Sequence, residues 1–314
     1  MTIDRYALMD ELHTLRALAA ERWQEDPLPV GRAAAERLQQ EIEQYDMHEH
    51  IVQLDTDGYT VLPPGKAGSP ELIERLKLAM LRLADRDTGY GRDSGLGATL
   101  YHMLPEDRAF EEALMSPQAQ VLVTYLLGYR AKLSQSTGLI KERGVPALGL
   151  HADHSAKFAA PWSALANYSV VTWVLTDYTR ENGGVCVWPG SHKWGKPVPQ
   201  EMVMAHCDPE IKDHPEIKVL EVPAGSVIAW HGSLWHGAVP RTADGKRMTL
   251  VFPHVRDPIA TQEMYWASTT EEMIARNAPR FSTLMGLTTI YGWLHNGPDV
   301  SSQACLPWTG SPFE

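Results

Sequence analysis

The chain has 314 residues, 44% hydrophobic and 21% charged, with a formal net charge of −11. That length can bury a sizeable core, and the excess of acid argues against nucleic acid, whose phosphates call for clustered Lys and Arg. No stretch reaches the ~20 apolar residues of a membrane helix, and the opening MTIDRYALMDELHTL carries acids where a secretory leader has an apolar run. Cys186, Cys207 and Cys305 show no Cys-x-x-Cys spacing. A cytoplasmic, reducing setting with no membrane partner is the expectation.

The first 50 residues read as helical. Asp4 is a candidate N-cap, and Leu8, Leu12, Leu15, Ala19 and Trp23 form one apolar stripe at three- and four-residue steps. After a break at DPLPVG, a second helix is predicted from about Ala33 to Tyr45. Asp57 to Pro63, DGYTVLP, is a short strand candidate. Ser69 to Ala84 is a strong amphipathic helix with Pro70 in its first turn. RAFEEALMSPQAQVLVTYLLG supplies one or two helices more.

After Gly128 the texture changes. YRAKLSQSTGLI, YSVVTWVLTDY, GVCVWPGSH, IKVLEVPAGSVIAW, SLWHGAVP and RMTLVFPHV are short, rich in Val, Thr, Trp and Tyr, and separated by Gly, Pro, Asn and Asp. Such runs are successive strands of a sandwich or barrel. Helices return after about Arg256, notably in TTEEMIARNAPRFSTLMG. The expected arrangement is one domain over 1–314: a largely helical region 1–128, a β core 129–256 and a helical and loop extension 257–314.

Within the core, GLHADHSAKF (149–158) places His151, Asp153 and His154 in four positions. Two side chains two apart on a strand point the same way, so His151 and Asp153 can grip one ion. By itself His-x-Asp is a weak signal. His236, in WHGSLWHGAVPRTADGKRMTLVF, can supply a third donor. Two imidazoles and one carboxylate with the remaining positions open suit non-haem Fe(II), whereas zinc favours tetrahedral His and Cys sites.

Downstream, Thr242 to Gly245 (TADG) forms a turn. If it closes a hairpin with an even loop, Arg247 lies on the face of His236 and Arg241 on the opposite one. A four-residue loop sets Arg247 against Pro240, ~13 Å along the strand from His236 at ~3.3 Å per residue. A guanidinium there can take a carboxylate through two hydrogen bonds. Pro240 can mark a bulge and upset that parity.

HAD at 151–153, LTDYTRENGGVCVWPGSHKWG at 175–195 and LWHGAVPRTADGKR at 234–247 resemble the phytanoyl-CoA dioxygenase (PhyH-like) family of Fe(II)/2-oxoglutarate-dependent oxygenases. The likeness runs from DGYTVLP to PRFSTLMG. It implies a double-stranded β-helix, the cupin-like jelly roll, with flanking N- and C-terminal helices. It also implies His151, Asp153 and His236 as iron ligands and Arg247 as the partner of the distal carboxylate of 2-oxoglutarate. The implied reaction consumes O2 and 2-oxoglutarate, releases succinate and CO2, and oxidises an unactivated C–H bond of a small molecule. Asp153 fills the position that related halogenases leave open for chloride, so hydroxylation is favoured, with desaturation and ring formation open to the same ligand set.

Gln135 and Trp173 are further candidates for holding the co-substrate. Lys157, Trp162 and Tyr168 follow the His-x-Asp in a segment resembling the family's substrate loop, and Trp235 adds an aromatic near the proposed mouth. These aromatics suit an apolar small molecule. His154, His231 and His192 read more simply as packing or turn-ordering residues, and Asn182-Gly183 and Pro189-Gly190 as turns. Two rivals stand beside the oxygenase: a cupin-type metal-dependent isomerase or hydrolase that ignores 2-oxoglutarate, and a non-catalytic binding protein on the same fold. Arg247 speaks against the first and the complete ligand set against the second. The protein is read as a monomer or a homodimer.

Overall fold

The computed structural model describes residues 5–86, 92–93, 97–207, 214–257, 259–288, 293–294 and 297–298; of residues 5–9, 92–93, 293–294 and 297–298 it gives the backbone alone. Asp4, Cys305 and the side chain of Leu8 lie outside the description.

Helix α1 (Arg5–Glu25) buries Leu12, Leu15, Ala19 and Trp23, the stripe expected from the sequence. Next come α2 (Gly31–Gln44) and α3 (His48–Asp57), the latter a separate helix not anticipated by its mixed polar sequence. Gly58 ends α3 in the left-handed region at φ +83°, and a Cβ there would lie 2.4 Å from Nδ1 of His192. The chain then turns straight into β1 (Tyr59–Leu62). In α4 (Pro70–Asp85) the hydroxyl of Ser69 accepts from the Leu72 N–H and Pro70 begins the helix, where its missing N–H costs nothing. Two short strands, β2 (Arg92–Asp93) and β3 (Gly97–Leu100), precede α5 (Arg108–Leu114) and α6 (Pro117–Leu127). Pro117 separates the last two because it cannot continue the preceding helix.

The β core follows as β4 (Lys132–Leu133), β5 (Thr137–Lys141), β6 (Leu148–His151), β7 (Tyr168–Val174), β8 (Val185–Val187), β9 (Lys218–Val219), β10 (Val227–His231), β11 (His236–Ala238) and β12 (Arg247–Val255). The short helices α7 (Glu271–Arg276) and α8 (Arg280–Leu284) lie in the C-terminal extension. An eight-stranded sheet runs β1-β10-β7-β12-β5-β3-β2, with β4 also paired to β12, and a four-stranded sheet runs β6-β11-β8-β9. The pairings are antiparallel. Strand β1 falls within the expected strand DGYTVLP, whereas β2 and β3 were not anticipated in the largely helical N-terminal region; β1 and β2 form the two edges of the large sheet. The helical region and the core therefore share one hydrogen-bonded sheet.

Alternation along the central strands sorts their side chains into two layers. Tyr168, Val170 and Val174 of β7, with Ile228 and Trp230 of β10, pack into the cluster between the sheets with Val187 and Leu220. Val171 and Trp173, Val227 and Ala229, and Met248, Leu250 and Phe252 point the other way and join the helices in the main core. Burying those outer faces under helices stabilises the sheet by roughly 25 cal/mol per Å² of apolar surface removed from water. Arg247 and Thr249, alternating with Met248 and Leu250 on β12, are left facing the space between the sheets.

Candidate metal centre

His151 ends β6 and His236 begins β11, and the two residues are paired partners across the antiparallel ladder. Directly opposed positions project their side chains from the same face, so the imidazoles meet with ring centroids 4.3 Å apart. Asp153 arrives differently. The strand has already ended, and Asp153 opens a 3-10 turn over Asp153–Ala156. The two-apart strand geometry expected for His151 and Asp153 is thus replaced by a strand end plus a turn, which delivers the carboxylate to the same place. Its Oδ1 lies 4.0 Å from Nε2 of His151 and its Oδ2 3.8 Å from Nε2 of His236. One donor atom from each residue falls within 4.8 Å of the others.

The donor set fits an ion. Nδ1 of His151 lies 2.9 Å from the Gly149 carbonyl, and Nδ1 of His236 lies 3.0 Å from the Leu234 carbonyl. A carbonyl can only accept, so each Nδ1 carries the proton and each Nε2 turns a lone pair toward the triad. Burial pushes the His236 pKa down to about 4, keeping the imidazole neutral and able to ligate at neutral pH. His151 remains half-buried, so the centre opens to solvent on that side. Trp230 closes the opposite side: its Nε1–H donates to Asp153 Oδ2 at 3.2 Å, and its ring lies 5.0 Å from that of His236.

Arg247 reaches the space between the sheets by a route the hairpin argument does not describe. Strand β11 pairs with β6 and β8 in the small sheet, whereas β12 pairs with β4, β5 and β7 in the large one. TADG therefore lies in a crossover between sheets, and Arg247 stands opposite Lys141 instead of Pro240. Its buried guanidinium lies over the Tyr178 ring at 5.1 Å and donates through Nη1 to the Gly183 carbonyl. Its Nε has no acceptor among the described residues. Tyr178 and Thr249 join their hydroxyls at 2.7 Å beside it. A buried N–H without an acceptor and two neighbouring hydroxyls suit an incoming carboxylate.

Arg241 is engaged elsewhere. It donates to the Asn182 carbonyl and Oδ1 at 3.2 and 2.8 Å and to the Asp244 carbonyl at 2.8 Å, stapling the crossover to the Asn182-Gly183 turn. Gly183 adopts φ +76° there, and a Cβ would press on Arg241 Cβ at 3.1 Å.

The remaining candidates divide. Lys157 and Tyr168 are brought to the centre: the Lys157 ammonium lies 4.2 Å from the Tyr168 ring centroid and 3.4 Å from the Asp153 carbonyl. Tyr168 also donates to Gln262 at 3.1 Å. Trp173 is corrected, because its position on β7 turns it into the helix-side core, against Gly68. Trp235 is corrected as well. Adjacent to His236, it points to the outer face of the small sheet, where it packs with Trp188 and Trp194 and donates to the Lys196 carbonyl. Trp162 packs on the same outer cluster and meets His154 edge-on at 5.5 Å. Gln135 lies half-buried in the link between β4 and β5. Trp230, Tyr178 and Thr249 were not singled out from sequence. The usable signal was strand parity: Thr249 is two residues from Arg247.

His154 and His231 are structural, as read. Ser233 joins them, its Oγ lying 2.7 Å from His154 Nδ1 and its N–H donating to His231 Nδ1 at 3.0 Å. Burial lowers His154 to about 4 and His231 to about 3, and likewise the buried His254 to about 3. Unfolding returns each to its ordinary value near 6.5, so between pH 6.5 and 4 the unfolded chain binds more protons and stability falls as pH falls. At ~1.4 kcal/mol per pH unit per group, each of the three is expected to remove ~2 kcal/mol between neutral pH and pH 5. Urea unfolding followed from pH 8 to 5 checks this; a flat profile contradicts it.

The sequence profile described as Phytanoyl-CoA dioxygenase (PhyH) matches residues 54–249. The dioxygenase af480 of Aspergillus fumigatus is 28% identical over 192 residues, 60% of this chain and 58% of that protein. The dioxygenase swnH2 of Arthroderma benhamiae is 30% identical over 124 residues, 38% of this chain and 35% of that protein. The chain thus spans less than two thirds of the length of these relatives. Among solved structures, HygX from Streptomyces hygroscopicus with nickel and 2-oxoglutarate bound superposes with TM-score 0.55 at 19% identity, covering 68% of this chain and 88% of HygX. The α-ketoglutarate-dependent carbocyclase SnoK from nogalamycin biosynthesis gives 0.52 at 20% identity, over 67% of this chain and 83% of SnoK. The fold is the jelly roll of these oxygenases, and the chain belongs to the phytanoyl-CoA dioxygenase family.

Proposed function

We propose that the protein is a non-haem Fe(II)/2-oxoglutarate-dependent dioxygenase that hydroxylates an unactivated C–H bond of a small organic molecule and releases succinate and CO2. The observation that carries this reading is the meeting of two Nε2 lone pairs and one carboxylate on one side of a space whose wall also holds a buried arginine. Bound iron would supply the activation of O2 coupled to decarboxylation of the co-substrate. His151, Asp153 and His236 hold it from one face. Arg247, with Tyr178 and Thr249 beside it, takes the distal carboxylate and so sets the direction of the co-substrate. Trp230 and the buried imidazole of His236 keep water from the inner side. Asp153 occupies the place a halide would need, which favours hydroxylation, and Arg247 distinguishes the protein from a cupin isomerase or hydrolase. With Trp162 and Trp235 turned away, Tyr168 and Lys157 are the residues of the proposed mouth that face a substrate.

Anaerobic Fe(II) and 2-oxoglutarate are expected to give the weak visible charge-transfer band of the chelate, absent with succinate in place of 2-oxoglutarate. Folded protein that shows no band under saturating iron would remove the proposal. No helix of the described residues is long and apolar enough to cross a membrane.

A further inference from the structure

The three ligand side chains are not held equally well. His151 and His236 are fixed twice, by their register across β6 and β11 and by the carbonyls at their Nδ1 atoms. Asp153 stands in a 3-10 turn beyond the strand. Lys157 bonds its main-chain carbonyl, a contact that does not orient the carboxylate. Among the described residues, the hydrogen bond that the carboxylate does accept comes from the opposite sheet, from Trp230.

Trp230 is suited to that task. Its backbone is paired on both sides, to Tyr59 of β1 and Val170 of β7, in the interior of the large sheet. Its side chain is buried, and the indole offers one donor and no acceptor. That donor goes to Asp153 Oδ2 while the ring packs on His236, so one residue of the large sheet touches two of the three ligands.

We infer that Trp230 is a positioning residue that holds Asp153 to ligation through one oxygen. A carboxylate that swings freely can chelate with both oxygens and take a second coordination position. The indole N–H commits part of one oxygen and fixes the carboxylate plane, which keeps three adjacent positions for the co-substrate and O2. This rests on the iron reading above. It adds that the open face is maintained from the large sheet, by a residue that touches neither substrate nor ion.

Trp230→Phe tests it, because phenylalanine retains an aromatic ring against His236 and removes only the donor and part of the ring. The apo variant is expected to melt within a few degrees of the parent. Its anaerobic Fe(II) affinity should fall 10- to 100-fold, the usual loss when a hydrogen-bond partner of a ligand is removed, and its Fe(II)/2-oxoglutarate band should weaken or shift. Affinity within twofold of the parent with an unchanged band overturns the inference and leaves the iron reading intact. If the parent binds no Fe(II), both fall. Should the variant fail to fold, the parent labelled with 15N at its indoles decides. One indole N–H is expected to be protected from deuterium exchange and to shift when Zn(II) saturates the centre; no shift in any indole resonance overturns the inference.

Discussion

Asp153→Ala is expected to leave a folded protein that retains no iron through desalting and releases no succinate above background. The loss of 2-oxoglutarate turnover should be at least ~10³-fold, since a bound ion contributes several kcal/mol and each 1.36 kcal/mol is tenfold. The carboxylate is the only anionic donor of the triad, so its removal also takes away the charge that favours a dication over a proton. His236→Ala should behave alike, because it deletes the donor that Asp153 and His151 both face. His154→Ala is the comparator. It lies one residue from Asp153 but bonds Ser233, away from the triad. It should lower the melting temperature, at a cost of ~1–3 kcal/mol for the broken buried hydrogen bond, and still bind iron. Iron retained by Asp153→Ala, or lost by His154→Ala at unchanged folding, would show that the wrong side chains have been assigned.

What could be read from the chain and what could not follow from one distinction. Periodicity reports which side of an element is apolar, and so α1 and α4 were visible, with Ser69 and Pro70 marking the start of α4. It does not report which sheet a strand joins. Strands β2 and β3 are two and four residues long; β3 exists because the edge of β5 is available to pair, and β2 because β3 then offers an edge in turn. The same limit misplaced Arg247. The residues around TADG look like a hairpin, yet their two flanking strands lie in different sheets, and Arg247 faces inward because of its parity on β12 alone. Trp173 is a candidate because it lies on a strand that could line the pocket, and Trp235 because it neighbours a ligand in sequence. One-residue steps on a strand reverse direction, which sent Trp235 to the outer face while His236 faced the centre. His-x-Asp alone is a weak signal; the triad was legible through the resemblance to the family, which rests on residue types and their order along the chain, whatever the backbone does between them. That is why Asp153 could leave the strand without leaving the site.

Arg247→Leu is expected to raise the 2-oxoglutarate concentration for half-saturation by ~10²- to 10³-fold while iron affinity stays near the parent's. Removing one partner of a buried, hydrogen-bonded charge pair costs ~2–5 kcal/mol, and 2.7–4.1 kcal/mol corresponds to that range. Arg247→Lys should recover only part of it, because an ammonium cannot replace a fork that bonds both carboxylate oxygens. Arg241→Leu supplies the contrast. Both arginines are buried, and they stand six residues apart around one crossover. Arg241 spends its two terminal nitrogens on Asn182 and Asp244, so its loss should lower stability by ~1–3 kcal/mol and leave co-substrate half-saturation within a few-fold. Nε of both arginines lacks an acceptor among the described residues, but Arg247 gives one bond to Gly183 and stands beside the Tyr178 and Thr249 hydroxyls in the space between the sheets, where a carboxylate can meet its free donor. Titrating 2-oxoglutarate against the anaerobic charge-transfer band in each variant separates the two roles. The reverse ranking, with Arg241→Leu starved of co-substrate and Arg247→Leu merely unstable, would move the carboxylate site from the space between the sheets to the crossover loop.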